Sequence, residues 1–446
     1  MRKTLVAFGF QGFSFVYFLQ KESEVHWMKF STWDINLKVR LFGEALLDIS
    51  FWMVFPFLTI YFSESIGREL TSLLLIISQV LAVFTALLGG YFADNFGRKR
   101  MMSISVIGEG FGFLVFAIGA LHVVDSPYLS FAGFAIASVF MAFYQPASQA
   151  MIADVVPPEH RTHIYSVFYM MINIAVVIGP ILGSVLFYNF TTETLLAIVC
   201  ADLLLLFLLQ KFGHETAPLL VNPDLQKEAV RKSIGAVLME QLKNYKIIFK
   251  DKIFFLYIVA GIIVSQSFMQ LDLLFPLYIK EVIGASNLFA FHFTGEQLFG
   301  VIVSINGFFV AALTVVVTRW MSHFREKFVF MNSSFLYAIA IFLFGISTGP
   351  WGAICAIILF SFAELMTVGL QQTFVSQLAP EDKRAMYFSA AGLRYTLGKV
   401  IAPLAITLST LIGYTGTFTI IGILALISGL IYYYMYSEFE KQRQVS

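Results

Sequence analysis

From about residue 39 to 436 the chain repeats one theme: an apolar run long enough to cross a bilayer as a helix, a short polar loop, and then another run. Twelve such runs are expected, at roughly 39–62, 70–92, 101–122, 128–152, 163–188, 193–212, 253–279, 297–319, 328–348, 351–377, 386–411 and 414–436. In lipid every backbone N–H and C=O must be satisfied inside the protein, so a chain built this way folds as a bundle of spanning helices. Only 13% of its residues are charged, against about 25% in soluble domains. The expected class is an all-α membrane protein.

The longest polar break, 211–252, holds Pro218, Pro223 and many charges and falls between the sixth and seventh runs. It divides the chain into a first six-helix bundle over 28–210, a cytoplasmic linker over 211–252, and a second bundle over 253–446. Residues 1–27 stand apart: Arg2 and Lys3 precede an apolar run over 5–19, as in a signal peptide, but no small-residue cleavage site follows. Were this run to span, Lys29, Lys38 and Arg40 would lie outside and every later helix would be inverted. It is therefore expected to be an appended segment that does not span.

Lys and Arg counts orient the remainder. With loops assigned alternately, one side holds 22 basic residues and the other only Arg68 and Lys280. Both termini and the linker are therefore expected in the cytoplasm, with the protein in the plasma membrane. The halves also repeat: Arg161, Ser166, Ile178 and Pro180 have counterparts 223 residues on at Arg384, Ser389, Ile401 and Pro403, with Pro158 matched one residue off by Pro380. A weaker echo sets FPFLTI at Phe55 against FPLYIK at Phe275. Paired halves imply a transporter whose site lies at the midplane between them and opens to each side in turn.

Several classes are excluded. There is no G-x-x-x-x-G-K-[ST] loop for direct use of ATP, and a net charge of +1 gives no footing for nucleic acid. Cys200 and Cys355 sit inside apolar runs and read as small packing residues. No nucleophile–base spacing or metal-ligand cluster appears, so the expectation is a non-enzyme with no cofactor and no metal. Its partners would be a small-molecule substrate, protons and the lipid bilayer, with the chain working as a monomer.

Ionisable groups inside a span carry a cost of at least about 2.5–3.5 kcal/mol and ask for a reason. Six acids qualify: Glu44, Asp48, Glu109, Asp202, Asp272 and Glu364, with Arg394 and Lys399 as bases. Glu44 and Asp48 are one turn apart on one face, and two carboxylates that close do not both ionise readily when desolvated. That suits a proton carrier, although Glu44 could instead pair with Arg40. Asp272 and Glu364 have apolar flanks and no cation within their own helix turn, so a neutral acid is the cheap resting state. They could serve protons or a cationic substrate, or be hydrogen-bonded to Gln371 or Gln270. Arg394 is the natural ion-pair partner for one of these acids, and Lys399 could hold an anionic group. Glu109 lies among small residues and suits coupling or helix packing equally. Asp202 is the least interpretable. Among the many aromatic residues, Trp52 and Tyr144 are the candidates for holding a lipophilic cation.

The loop GYFADNFGRKR, Gly90 to Arg100, lies between the second and third runs and carries Asp94, Gly97, Arg98 and Lys99. It resembles the G-x-L-a-D-r-x-G-r-k motif of the major facilitator superfamily. The likeness implies the major facilitator fold, twelve helices in two six-helix bundles. Asp94, Arg98 and Arg100 form a cytoplasmic charge cluster that Asp154, at the end of the fourth run, is positioned to join; it is expected to latch helices together in the outward-open state, a solvated surface being the alternative. Gly179, Pro180 and Gly183 resemble the G-P-x-x-G motif of drug/proton antiporters, while the usual arginine of the fourth helix is absent. WDINLKVRL, MQLDLLFPLYI, AELMTVGLQQ and GLRYTLGK resemble Gram-positive multidrug/proton antiporters of the LmrP type. That likeness implies Asp94, Asp154, Asp272 and Glu364 as proton- or drug-responsive acids, and Arg40 and Arg394 as their basic partners. The function expected is proton-coupled export of amphiphilic, cationic, drug-like compounds. Proton-coupled import of a metabolite or peptide is the alternative, and a lipid-handling or scaffold protein without proton coupling is the alternative of another class.

Overall fold

Local signals at the ends of the apolar runs explain where each helix begins. The computed structural model describes residues 30–218, 235, 239, 250–379 and 384–445; the 1–27 segment and most of the 211–252 linker lie outside that set. Asp34 accepts a hydrogen bond from the Asn36 N–H at 2.7 Å and so starts α1 (Ile35–Val54). A single 3-10 turn at Phe55–Phe57, carrying Pro56, offsets α2 (Leu58–Ile66), which completes the first span. Next come α3 (Arg68–Phe96) and α4 (Arg98–Gly119), joined through Gly97 alone. Its φ of 100° is open to glycine and strained for other residues, which is why so short a loop can reverse the chain. The first half closes with α5 (Pro127–Val155), α6 (Pro158–Asn189) and α7 (Thr191–Phe212).

In the second half Asp251 caps α8 (Lys252–Tyr278), which continues as a π-helical turn over Ile279–Ile283. A small antiparallel hairpin, β1 (Ser286–Leu288) and β2 (Phe291–Phe293), pairs Asn287 with His292 and was not foreseen from the apolar pattern. A capping box of Thr294 and Gln297 opens α9 (Gly295–Met321), followed by α10 (Glu326–Ile346) and α11 (Pro350–Leu378). Among the described residues, eleven stretches are long and apolar enough to cross a membrane. The remaining expected span, near 386–411, is built in pieces: α12 (Arg384–Ala391), α13 (Leu393–Ile401) and the start of α14 (Leu404–Val445). Gly392 and Pro403 separate the pieces, and α14 leaves helical geometry at Gly413, where the eleventh span gives way to the twelfth. The all-α class with eleven to twelve long apolar helices thus stands.

Apolar residues also cover the outside. α3 exposes Leu73, Ile77, Leu81 and Phe84 at one-turn steps, a stripe suited to lipid. Cys200 and Cys355 are exposed as well, which corrects their reading as packing residues. Both sit on helix faces turned away from the bundle.

How the halves meet is read from the cores. Toward the end that carries Arg68 and Lys280, one apolar core runs through both halves and joins Phe57, Phe62 and Phe187 to Phe275, Phe299 and Phe344. Toward the Gly97 end the cores are separate, one around Met102, Met151 and Leu205 and another around Phe254, Phe330 and Phe374. Hydrogen bonds follow the same division. Across the joined end the Thr59 hydroxyl donates to the Asp272 carbonyl at 3.1 Å and the Ser72 hydroxyl to that of Pro403 at 2.7 Å. Arg68 pairs with Glu281 and lies over Tyr414, while Lys280 bridges Glu64 of the first half and Glu296 of its own. At the Gly97 end no hydrogen bond or ion pair joins the halves among the described residues.

Candidate functional site

α1 presents Arg40, Glu44 and Asp48 at one-turn steps along a single face. That face lines a cavity of about 600 Å3, counted with its mouth, shared with Glu109 of α4, Tyr144 and Ser148 of α5, and Phe168 of α6. Arg40 is 1% exposed and fully engaged. Its Nε donates to Glu44 Oε1 at 2.7 Å, its Nη2 to Oε2 at 3.2 Å, and its Nη1 to the Ser148 carbonyl at 2.9 Å. The guanidinium also lies 4.7 Å from the Phe168 ring centre. Glu44 accepts in addition from the Tyr144 hydroxyl at 2.6 Å and the Ser148 hydroxyl at 3.2 Å. A buried pair is tolerable only when its charge and hydrogen bonds are matched in this way. Glu44 therefore adopts the ion-paired arrangement with Arg40, and Tyr144 turns its polar end to Glu44 rather than its ring face to a ligand.

Asp48 and Glu109 differ from Glu44. Neither makes a hydrogen bond or ion pair among the described residues, and Glu109 is only 4% exposed. Asp48 acts electrostatically on Glu109, and Glu44 on Asp48. Two carboxyls that share a cavity wall with no partner cation can hold protons or a bare cation.

A second cavity, about 580 Å3, lies within the other half and is lined by Phe268, Tyr337, Glu364, Gln371, Arg394 and Tyr395, among others. Asn306 donates to Glu364 Oε2 at 3.3 Å and to the Ser361 hydroxyl at 3.0 Å. The partner of Glu364 is thus Asn306, not Gln371 or Gln270; a lone Asn within the apolar run SINGFFV was the available signal. Among the described residues Arg394 forms no ion pair with an acid, which corrects the expected bridge. It donates to the Ala391 carbonyl at 3.0 Å and to Gln371 Oε1 at 3.3 Å, and stacks 4.3 Å from the Tyr257 ring centre. Aromatic faces and an amide satisfy the guanidinium where no carboxylate reaches it. Asp272 lies outside the cavity lining, with Oδ1 buried and unpartnered. Its charge acts on Glu364, and Lys399 acts on it in turn.

Trp52 lines neither cavity. It stacks edge-on to Phe51 and Phe55, and a Cβ at Gly179 would stand 2.5 Å from its own Cβ. The small residues of the Gly-Pro motif let α6 close on α1 there, so the stem of Trp52 is held by packing.

At the Gly97 turn Arg98 bridges Asp94 at 2.5 Å and Asp154 at 3.1 Å. Arg100 is exposed and takes no part among the described residues. The segment after α7 completes the cluster: Glu215 accepts from the Arg98 N–H at 2.7 Å, and Thr216 donates to Asp154 at 3.2 Å. All these groups belong to one half. The latch therefore ties helices of the first bundle together here, and is present in a conformation whose halves meet at the opposite end. The side chain of Asp94 is 56% exposed and that of Asp154 only 15%. Asp94→Asn should lower stability by under about 1 kcal/mol, and Asp154→Asn by about 1–2 kcal/mol. Thermal unfolding of the purified variants orders the two.

A profile of the Major Facilitator Superfamily matches residues 41–403. The chain is 46% identical over 420 residues to a protein of Planococcus maritimus named "Na(+), Li(+), K(+)/H(+) antiporter", covering 93% of this chain and 99% of that one. It is 23% identical over 382 residues to the multidrug resistance protein MdtH of Proteus mirabilis (strain HI4320), covering 84% of each. Among solved structures, the peptide transporter POT in complex with sulfate superposes with a TM-score of 0.73 at 17% identity, over 94% of this chain and 98% of that one. The last likeness bears on the fold.

Proposed function

Since the chain belongs to the major facilitator superfamily, we propose that this multi-pass transporter expels Na+, Li+ or K+ in exchange for protons. One observation carries the reading: Asp48 and Glu109 share a cavity wall without a hydrogen bond or ion pair among the described residues. Protons and an alkali cation can compete for such a pair, because each neutralises the same carboxylate charge. The 46% identical relative carries a name of that kind. Glu44 is set apart from the exchange by Arg40. Exchange of one proton for one monovalent cation moves no net charge, so the pH gradient drives it, by about 1.4 kcal/mol per pH unit.

The Arg68 and Lys280 end is assigned to the outside by the basic-residue asymmetry, with both termini in the cytoplasm of a plasma-membrane protein. The structure then represents a state sealed outside and parted inside, ready to take cation from the cytoplasm. In inside-out vesicles with an acidified lumen, adding Na+, Li+ or K+ should release the pH gradient, read by acridine orange dequenching. A gradient unmoved by all three cations, in vesicles that contain the protein, would remove the reading.

A second reading has its own observation. Glu364 faces Phe268, Tyr337 and Tyr395 across the second cavity, an acid among aromatic rings that suits an amphiphilic organic cation. Export of such compounds for protons matches the name of the MdtH relative. Glu364→Gln should slow ethidium efflux from cells at least about tenfold, a loss of about 1.4 kcal/mol. Efflux at the wild-type rate would leave alkali-cation exchange as the sole reading.

A further inference from the structure

Asp202 lies outside both cavities and is nevertheless 1% exposed, with both carboxyl oxygens buried and without a hydrogen-bond partner. It sits on α7 where α7 meets α4 at Gly110: a Cβ there would stand 3.2 Å from the Asp202 Cβ and 3.3 Å from Oδ2. The neighbour of Gly110 is Glu109, which lines the first cavity and whose charge acts on Asp202. Three carboxyls therefore follow one another inward: Asp48 on α1 at the cavity, Glu109 on α4 in its wall, and Asp202 on α7 behind that wall.

Among the described residues no base answers this row. From α1, Gly43 packs on Leu205 of α7, while Arg40 is committed to Glu44 and Ser148. The spanning part of α6, 167–189, has no acid or base. The basic groups of α4 stand at its far start, where Lys99 reaches the carbonyls of Gln210 and Gly213. Leaving an acid unpartnered so deep costs stability in this state, and a partner in another state would give that cost a purpose. Neither cavity reaches Asp202, which gives a bare cation no path to it there, whereas a proton needs no cavity.

We propose that Asp202 is a positioning residue: a neutral acid whose O–H donates to Glu109 when Glu109 gives up its proton and takes a cation. The proposal rests on the cation–proton exchange proposed above and gives the unpartnered Asp202 carboxyl a role in the cation-bound state. The balance is simple. The proton leaving Glu109 goes to the cavity, the cation replaces it, and Asp202 keeps its own proton throughout.

The test is the half-saturating Na+ of exchange in inside-out vesicles, followed across pH. Asp202→Asn keeps a donor in place and should stay within about threefold of wild type, whereas Asp202→Ala and Asp202→Val should need about tenfold more Na+. Their pH profiles should also move about one unit to the alkaline side, since an unassisted Glu109 ionises less readily. Gly110→Ala removes no titratable group but displaces Asp202, and should shift the profile in the same direction by less. It carries the test alone if the Asp202 variants do not assemble. Loss of exchange in Asp202→Asn equal to that in Asp202→Ala would mean that Asp202 itself titrates, and overturns the proposal. Wild-type profiles in Asp202→Ala or Gly110→Ala overturn it too. Exchange absent from the wild-type protein would instead defeat the function proposed above.

Discussion

Asp48→Asn is expected to reduce cation–proton exchange at least about a hundredfold, a loss of about 3 kcal/mol, while the protein still assembles. Three acids border the first cavity, and only one of them is both reachable and uncommitted. Glu44 is held by Arg40, Tyr144 and Ser148. Glu109 is buried in the wall. Asp48 is half-buried, faces the cavity, and makes no hydrogen bond among the described residues, so removing its charge breaks no contact. An amide there can neither exchange a proton nor neutralise a cation. Asp48→Glu, which keeps the charge, should retain exchange within about tenfold. Acridine orange dequenching at several Na+ concentrations measures both, with unchanged thermal unfolding as the control for folding. If Asp48→Asn exchanged at the wild-type rate, the cavity of the first half would not be the exchange site.

The architecture was legible because spanning helices leave a coarse record in sequence. Run length, loop charge and the Asp94–Arg98 loop pointed to the twelve-helix arrangement, and Asp154 joins Arg98 as its position suggested. What escaped reading depends on which face of a helix meets which neighbour. Arg394 looked like a partner for an acid because opposite charges are the simplest pairing; Tyr257 and Gln371 reach it instead. Trp52 looked like a ligand face, but Gly179 admits α6 onto its stem. Asp202 was opaque since its meaning comes from Glu109, 93 positions away in sequence and adjacent only after α4 and α7 pack. The broken eleventh span was half legible: Gly392, Pro403 and Gly413 were visible, but not that each would interrupt the helix.

Arg40→Ala should be the most damaging single change to stability, at about 3–5 kcal/mol. The guanidinium is 1% exposed and is the group that neutralises Glu44. Without it a carboxylate, the Ser148 carbonyl and the Tyr144 hydroxyl are left around a buried hole beside Phe168. Lysine would be a poor substitute, since one ammonium cannot bond both Glu44 oxygens and the Ser148 carbonyl with the planar fork that Arg40 uses. The size of the effect decides what Glu44 does. If Glu44 is a permanent counter-ion, removing its charge as well should relieve much of the damage, so that Arg40→Ala with Glu44→Gln is more stable than Arg40→Ala alone by about 1–3 kcal/mol. If Glu44 instead gives up and takes protons during exchange, it can neutralise itself when Arg40 is lost, and the second substitution should add nothing. Thermal unfolding of the two single variants and the double variant separates these outcomes. A positive coupling leaves Asp48 and Glu109 as the carboxyls of this cavity that trade protons for cations.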